Sequence, residues 1–221
     1  MPWLDMANIA CGGHAGNVET MREVMLLAKQ HAVVVGAHPS YPDRANFGRS
    51  SLSISHRDLR QSLLQQLQLF ETIAQQVDID VDYVKPHGAL YNDMMTDAAL
   101  LDLIVECVAE VFPSKQFMLL ASHAHELSRQ ATQKHGLHPI FEVFADRAYQ
   151  ADGALVSRNR HGAVLDQQQV IERFKILLAR GVIIAEDGTE LSMPMDSVCV
   201  HGDSPAALDM LIHLRGFTHH G

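Results

Sequence analysis

Short apolar runs alternate with long amphipathic segments along this chain, and few architectures satisfy that alternation. A short apolar run suits a strand buried on both faces, and the amphipathic segment after it suits a crossover helix. Their repetition builds a mostly parallel sheet of the α/β class. The pattern predicts strands at 7–10, 33–37, 83–85, 117–121, 140–144 and 197–200. A helix over 18–30 follows Asn17 as N-cap and carries Val18, Met21, Val24, Met25 and Ala28 on one face. Ser55 and Asp58 resemble a capping box opening a helix whose face is Leu59, Leu63, Leu67, Phe70, Ile73 and Val77. Further helices are expected over 98–111 and 126–134, from Asp166 to the stop at Gly181, and from Ser204-Pro205 to Gly216. Asp187-Gly188 marks a hairpin within 182–193. The reading gives six βα units.

A chain of 221 residues, 47% of them hydrophobic, holds one substantial core, so a single domain over 1–221 is expected. Lys and Arg total 17 against 26 Asp and Glu, a formal charge of -9, which offers no basic patch for a nucleic-acid backbone. No apolar run approaches the ~18 residues that span a bilayer. The three cysteines, Cys11, Cys107 and Cys199, are odd in number and far apart, as suits reduced thiols in a cytoplasm. The acidic charge disfavours electrostatic self-association, while an apolar patch would permit a homo-oligomer.

Fourteen histidines suit proton transfer or metal binding. Those at 31, 56, 135, 213, 219 and 220 fall in helical or terminal segments and read as surface residues. Several of the others follow strands, in loops rich in glycine and proline: Cys11-Gly12-Gly13-His14-Ala15-Gly16, Gly36-Ala37-His38-Pro39-Ser40-Tyr41-Pro42 and Lys85-Pro86-His87-Gly88-Ala89-Leu90-Tyr91-Asn92. Ser122-His123, Asp146-Arg147 and His201-Gly202-Asp203 continue the series. In parallel α/β folds such loops gather on one face, where ligands bind. One histidine after a strand more often caps a loop than catalyses. Several of them, with Lys85, Asp146 and Asp203, form a costly polar concentration unless a ligand uses it.

Neither a G-x-x-x-x-G-K-[ST] nor a strand-bound G-x-G-x-x-G segment occurs, so any ATP is expected on another polypeptide. His14, His38 and His87 are candidate ligands for a divalent metal, although no local spacing such as H-x-x-x-H supports them. His123 and His125 read as structural. Cys11 opens a site loop but has no base beside it, so core packing is its expected role. The connection 144–164 exceeds ordinary loop lengths and reads as a lid.

At these loops the sequence resembles the LamB/YcsF family, the A subunits of prokaryotic 5-oxoprolinase. The resemblance is carried by Ala7-Asn8-Ile9-Ala10-Cys11-Gly12-Gly13-His14-Ala15-Gly16, by the His38 loop through Asp43 with Phe47-Gly48-Arg49, and by the Val84-Lys85-Pro86-His87 segment. Glu142 through Tyr149 with Asp152-Gly153, and Val200-His201-Gly202-Asp203, extend it in order. It implies a deacetylase-like, seven-stranded β/α barrel that acts with subunits B and C in ATP-dependent cleavage of 5-oxo-L-proline to L-glutamate. The family pattern begins with an acidic strand upstream of the Ala7 segment. That strand is expected to be missing here, through truncation, leaving the 7–10 strand with an open edge. Gly13 stands where the family commonly has phenylalanine.

The chemistry assigns His87 and His201 as general acid and base, with Asp203 or Asp146 orienting an imidazole. Lys85 and Arg147 suit carboxylate or phosphate oxygens, and Arg49 joins them as a substrate-binding candidate. His14 and His38 would position substrate or hold a metal. A stand-alone metal-dependent hydrolase of the carbohydrate-deacetylase type, and a non-catalytic sugar-binding or regulatory module, are the alternatives.

Overall fold

The apolar runs and amphipathic segments become strands and helices close to the expected places in the computed structural model, which describes residues 1–122, 125–202 and 207–218. The chain divides into two compact units, one of residues 1–119 with 127–139, the other of 120–126 with 140–221. None of the helices among the described residues is long and apolar enough to cross a membrane.

The first unit runs β1 (Met6–Ala10), α1 (Val18–Gln30), β2 (Val34–His38), α2 (His56–Gln76), β3 (Tyr83–Val84), α3 (Gly88–Met94), α4 (Ala98–Val111), β4 (Gln116–Leu120) and most of α5 (His125–Lys134). Its strands are parallel in the order β1-β2-β3-β4, with β1 at the edge among the described residues. Asn8 stands opposite Gly36, Gly36 opposite Tyr83, and Tyr83 opposite Gln116. Gly36 is required by packing, because a Cβ there would fall 2.1 Å from Cζ of Tyr83. The ring crosses the bare backbone so that its hydroxyl donates to Asn8 Oδ1 at 2.8 Å, tying three strands together.

Helix α1 opens with the expected cap. Asn17 accepts from the Thr20 backbone N–H, and Thr20 answers to the Asn17 N–H, a reciprocal capping box. Ser55 caps α2 by accepting from the Asp58 N–H. The expected face of α2 is buried, with Leu59, Leu63, Leu67, Phe70 and Ile73 each no more than 1% exposed. Each such side chain contributes roughly 1.5–3 kcal/mol of burial, and α2 packs on α1 and α4. Helix α3 departs from expectation. Pro86 and Gly88 read as loop punctuation, yet Ala89, Leu90, Tyr91 and Met94 find buried places and hold a short helix.

In the second unit β5 (His138–Phe144) pairs in parallel with β8 (Ser197–Cys199), Glu142 opposite Ser197 and Phe144 opposite Cys199. Helix α6 (Gln167–Arg180) has its capping box at Asp166 and Gln169 and ends on Gly181 at φ 66°. The hairpin forms as β6 (Ile183–Ile184) and β7 (Glu190–Leu191), antiparallel. Helix α7 (Ala207–Thr218) runs past Gly216, and its expected cap at Ser204-Pro205 lies outside the described residues. The long connection expected as a lid folds on itself: Ala148, Val156 and Ala163 form a small buried cluster with Leu165 against it. Short antiparallel bridges join Arg147 to Val164 and Tyr149 to Leu155.

Candidate functional site

Three of the strand-end histidines of the first unit meet. His14 follows β1, His38 ends β2 and His87 follows β3, and the parallel pairing continues beyond the strands through Lys85 N–H to Ala37 O (2.9 Å) and His87 N–H to Pro39 O (2.8 Å). His87 lies flat against His14, ring centroids 3.8 Å apart and planes within 10°. His38 stands edge-on to both. His38 Nδ1 lies 2.5 Å from the Lys85 carbonyl, His87 Nδ1 lies 3.0 Å from His38 Nε2, and His87 Nε2 lies 2.9 Å from the Phe47 carbonyl.

The 39–49 loop holds this cluster from one side. Phe47 packs edge-on to His14 and His87 from a backbone at φ 55°, a conformation seldom adopted by a bulky residue, which aims its carbonyl at His87. Gly48 and Gly88 let two backbones touch. A Cβ on Gly88 would lie 2.3 Å from the Gly48 carbonyl oxygen, the same oxygen that accepts the Ala89 N–H at 2.9 Å. Arg44 donates to the Gly12 and Gly16 carbonyls and so latches this loop to the His14 loop. Arg49 stacks on Phe47 with its guanidinium 5.1 Å from the ring centroid. Lys85 is 5% exposed, its ammonium 5.7 Å from the Tyr91 ring.

Gln66 went unnoticed in the sequence because it falls on the apolar face of α2. Its carboxamide accepts from the Ser40 N–H (3.0 Å) and donates to the Ser40 carbonyl (2.9 Å), as a neighbouring strand would, and so fixes the turn after His38. No local motif marks such a residue. Its only sequence signal is a polar side chain inside the apolar face.

Burial sets the electrostatics. It pushes the His14 imidazole down to about 3, helped by the charges of His87, Arg44 and Arg49. Burial also holds His38 well below its ordinary value, with Lys85 and His87 adding to it and the hydrogen bond to the Lys85 backbone opposing. The Cys11 thiol, 1% exposed, is raised by burial and only partly relieved by the His38 N–H it accepts at 3.2 Å. It is a packing residue, as expected, and no thiolate nucleophile.

The trio expected as metal ligands does not fit a divalent ion. Both nitrogens of His38 and both of His87 are engaged with carbonyls or with each other, which leaves no set of lone pairs converging with His14. No group of three or more His, Cys, Asp or Glu among the described residues is arranged to hold a metal.

In the second unit Asp146, 2% exposed, faces His201. Its oxygens lie 3.0 and 2.9 Å from His201 Nδ1, and one accepts the His201 backbone N–H at 3.1 Å. Phe144 stacks on the imidazole, centroids 5.1 Å apart. Burial raises the Asp146 carboxyl, but the His201 side-chain hydrogen bond, its charge and its N–H outweigh that and hold it below the usual range. With Nδ1 donating to the carboxylate, the basic lone pair of a neutral His201 is at Nε2, the arrangement of an oriented general base.

Arg147 is placed otherwise than expected. Its guanidinium donates to the Ala163 and Val156 carbonyls, closing the 145–165 loop, while Arg173 donates to the Arg147 carbonyl. An anion-binding role drew on its position at a strand end, but loop closure directs those donors inward. Of the remaining candidates, His125 caps Ser122 through its carbonyl at 3.0 Å, and Asp203 and His123 lie outside the described residues.

Parallel strands with polar loops at their ends, a histidine cluster in one unit and an Asp-His pair in the other, define an α/β protein with polar strand-end loops. The model of the LamB/YcsF family matches residues 1–220, and the chain belongs to that family. It is similar to a protein of Pseudomonas putida named as a second 5-oxoprolinase A subunit, 42% identical with 97% of this chain and 84% of that protein covered. It is also similar to proteins named as the 5-oxoprolinase A subunits of Vibrio cholerae (38%; 97% and 87%) and Chromohalobacter salexigens (43%; 97% and 86%). Among solved structures it is similar to the lactam utilization protein from Thermus thermophilus, with TM-score 0.89, 30% identity, and 99% of this chain and 87% of that one covered.

Proposed function

We propose that this chain is the A-type subunit of a 5-oxoprolinase, which opens the lactam of 5-oxo-L-proline to give L-glutamate. The observation that carries the proposal is 38–43% identity, across 97% of the chain, to relatives named for that subunit. A lactam amide is resonance-stabilised. Its hydrolysis adds water at the carbonyl, breaks the C–N bond and delivers a proton to the freed nitrogen. His201, oriented by Asp146, is of the type that takes a proton from water. His87 is of the type that gives one, and Lys85 and Arg49 are cations suited to a substrate carboxylate. Relatives lettered as A subunits support a multi-subunit enzyme, with subunits B and C as the proposed partners. ATP would drive the otherwise slow opening from a partner, since this chain has no phosphate-binding loop of recognised type.

Reconstitution with candidate partner subunits tests this, by measuring glutamate released from 5-oxoproline with and without ATP. ATP-dependent release that requires this chain is expected. In the same assay His87→Ala should lower turnover about 100-fold with an unchanged circular dichroism spectrum, the usual effect of removing a group that transfers a proton. Release that proceeds equally well without this chain would reject the proposal.

A further inference from the structure

Two hydroxyls from opposite ends of the loop that runs from Tyr41 to Ser51 meet on one carboxylate. The Tyr41 hydroxyl donates to Asp93 Oδ2 at 3.0 Å, and the Ser51 hydroxyl donates to Oδ1 of the same side chain at 2.9 Å. Asp93 lies on α3, the short helix that follows His87. We propose that Asp93 is a positioning residue, whose carboxylate staples the two ends of this loop together and so fixes where the loop presents Phe47 and Arg49. Tyr41 is 4% exposed, and a buried phenol must find a hydrogen-bond partner. An ionised carboxylate only accepts, and its two oxygens take two hydroxyls at once, whereas a carboxamide has one acceptor oxygen and would hold one end.

Between the stapled ends Arg44, Phe47 and Arg49 are exposed, so burial does not decide the shape of this stretch. Its own hydrogen bonds do. The Asn46 N–H and Nδ2 both donate to Asp43 Oδ1 at 3.1 Å, the Gly48 N–H donates to the Asp43 carbonyl at 2.7 Å, and the Arg49 N–H donates to the Asn46 carbonyl at 3.0 Å. The result is a compact loop with adjacent ends, which carries its shape within itself and takes its orientation from what its ends are tied to. Helix α3 meets it again where the Ala89 N–H donates to the Gly48 carbonyl at 2.9 Å. Phe47, at φ 55°, keeps a conformation that persists only where the surroundings hold it. The consequence for a substrate rests on the lactam-opening reading, in which Arg49 receives the substrate carboxylate. Its guanidinium stacks on Phe47 at 5.1 Å, so both move when the loop moves. Asp93 acts through Arg49 rather than on the reacting bond, and its loss is felt in binding before turnover.

Trypsin reads the loop directly in the full chain, with no partner present, because Arg44 and Arg49 both lie within it and both are exposed. Asp93→Ala should speed cleavage after these two residues about tenfold or more, as loss of hydrogen bonds to a charged group raises the open population. Cleavage confined to those two bonds distinguishes loop release from unfolding. Tyr41→Phe and Ser51→Ala, milder changes that each release one end, should speed it by less, and Asp93→Asn should behave like a single release. Once Asp93 is alanine, adding Tyr41→Phe should change nothing further, because the contact is already gone. Unchanged cleavage in both single-end variants, or a full additional effect of Tyr41→Phe without Asp93, would overturn the proposal. In the reconstituted complex Asp93→Asn should raise KM for 5-oxoproline about tenfold with kcat nearly kept. A fall in kcat with KM unmoved would overturn the positioning role. Loop release in variants of a protein whose wild-type complex leaves 5-oxoproline intact would uphold the staple and reject the functional reading instead.

Discussion

Asp146 makes its contacts to His201 through one buried carboxylate, and its charge is what those contacts recognise. Replacing it with Asn keeps the size and removes the charge. Asp146→Asn should cost about 1.5–3 kcal/mol at neutral pH, the range for a hydrogen bond to a charged group. The folded carboxyl is held below its unfolded value of roughly 3.9. Its stabilisation is thus complete above about pH 4 and disappears as pH falls through the folded value. Urea midpoints for wild type and variant should differ above pH 4 and converge below it, and a constant gap across that range would rule the charge out as the cause. At this scale the strand-end positions of His14, His38, His87, His201 and Asp146 were legible in the sequence, because short apolar runs precede them. The loop-closing part of Arg147 was not legible, since the carbonyls that take two of its donors come from Val156 and Ala163, and a local motif carries no information about how a loop closes. Gln66 was hidden for the opposite reason: on α2 it looks like an interruption of an apolar face.

The strands were the most legible elements, because short apolar runs between amphipathic segments mark them, and six such runs became six strands that pair in parallel among the described residues. Helix caps were readable too, at Asn17, Ser55 and Asp166. Helix α3 was not, because its stability comes from burial of Leu90, Tyr91 and Met94 against tertiary neighbours rather than from local propensity. The junction of β1, β2 and β3 depends on one absent side chain. Gly36→Ala places a methyl carbon inside the Tyr83 ring, so the ring must leave its place over Gly36 and release Asn8. Overpacking of this kind typically costs about 1–3 kcal/mol. Thermal melting should fall accordingly, and the double variant Gly36→Ala with Tyr83→Leu should recover part of the loss. No recovery would mean that Tyr83 is not what Gly36 accommodates.

For the whole molecule, the alternation of apolar runs and amphipathic segments predicted the α/β class and the motifs predicted the family, while the division into two compact units was invisible to both, since it arises from which contacts form rather than which residues are present. Charge is the whole-molecule property with a direct consequence. The formal net charge is -9 with neutral histidines, and the sequence pI is about 5.8. Between neutral pH and that value histidines gain protons, and mutual repulsion between copies fades. Light scattering should show least solubility near that pI and recovery on either side, as expected where net charge passes through zero. A minimum well away from it would show that a local surface, rather than net charge, governs association.

The trio of Gly13, Ser40 and Gln66 links one loop to the register of another. Gln66 holds the backbone of residue 40, while a Cβ at position 13 would lie 2.4 Å from the Gln66 Oε1 atom and 2.6 Å from the Ser40 hydroxyl. Both are side-chain ends that can swing away, so a larger residue 13 is admitted once Gln66 turns aside, and the backbone at residue 40 then gives up the two bonds that pin it. A change at position 13 is therefore felt first in the turn after His38, a step removed from the residue that changed.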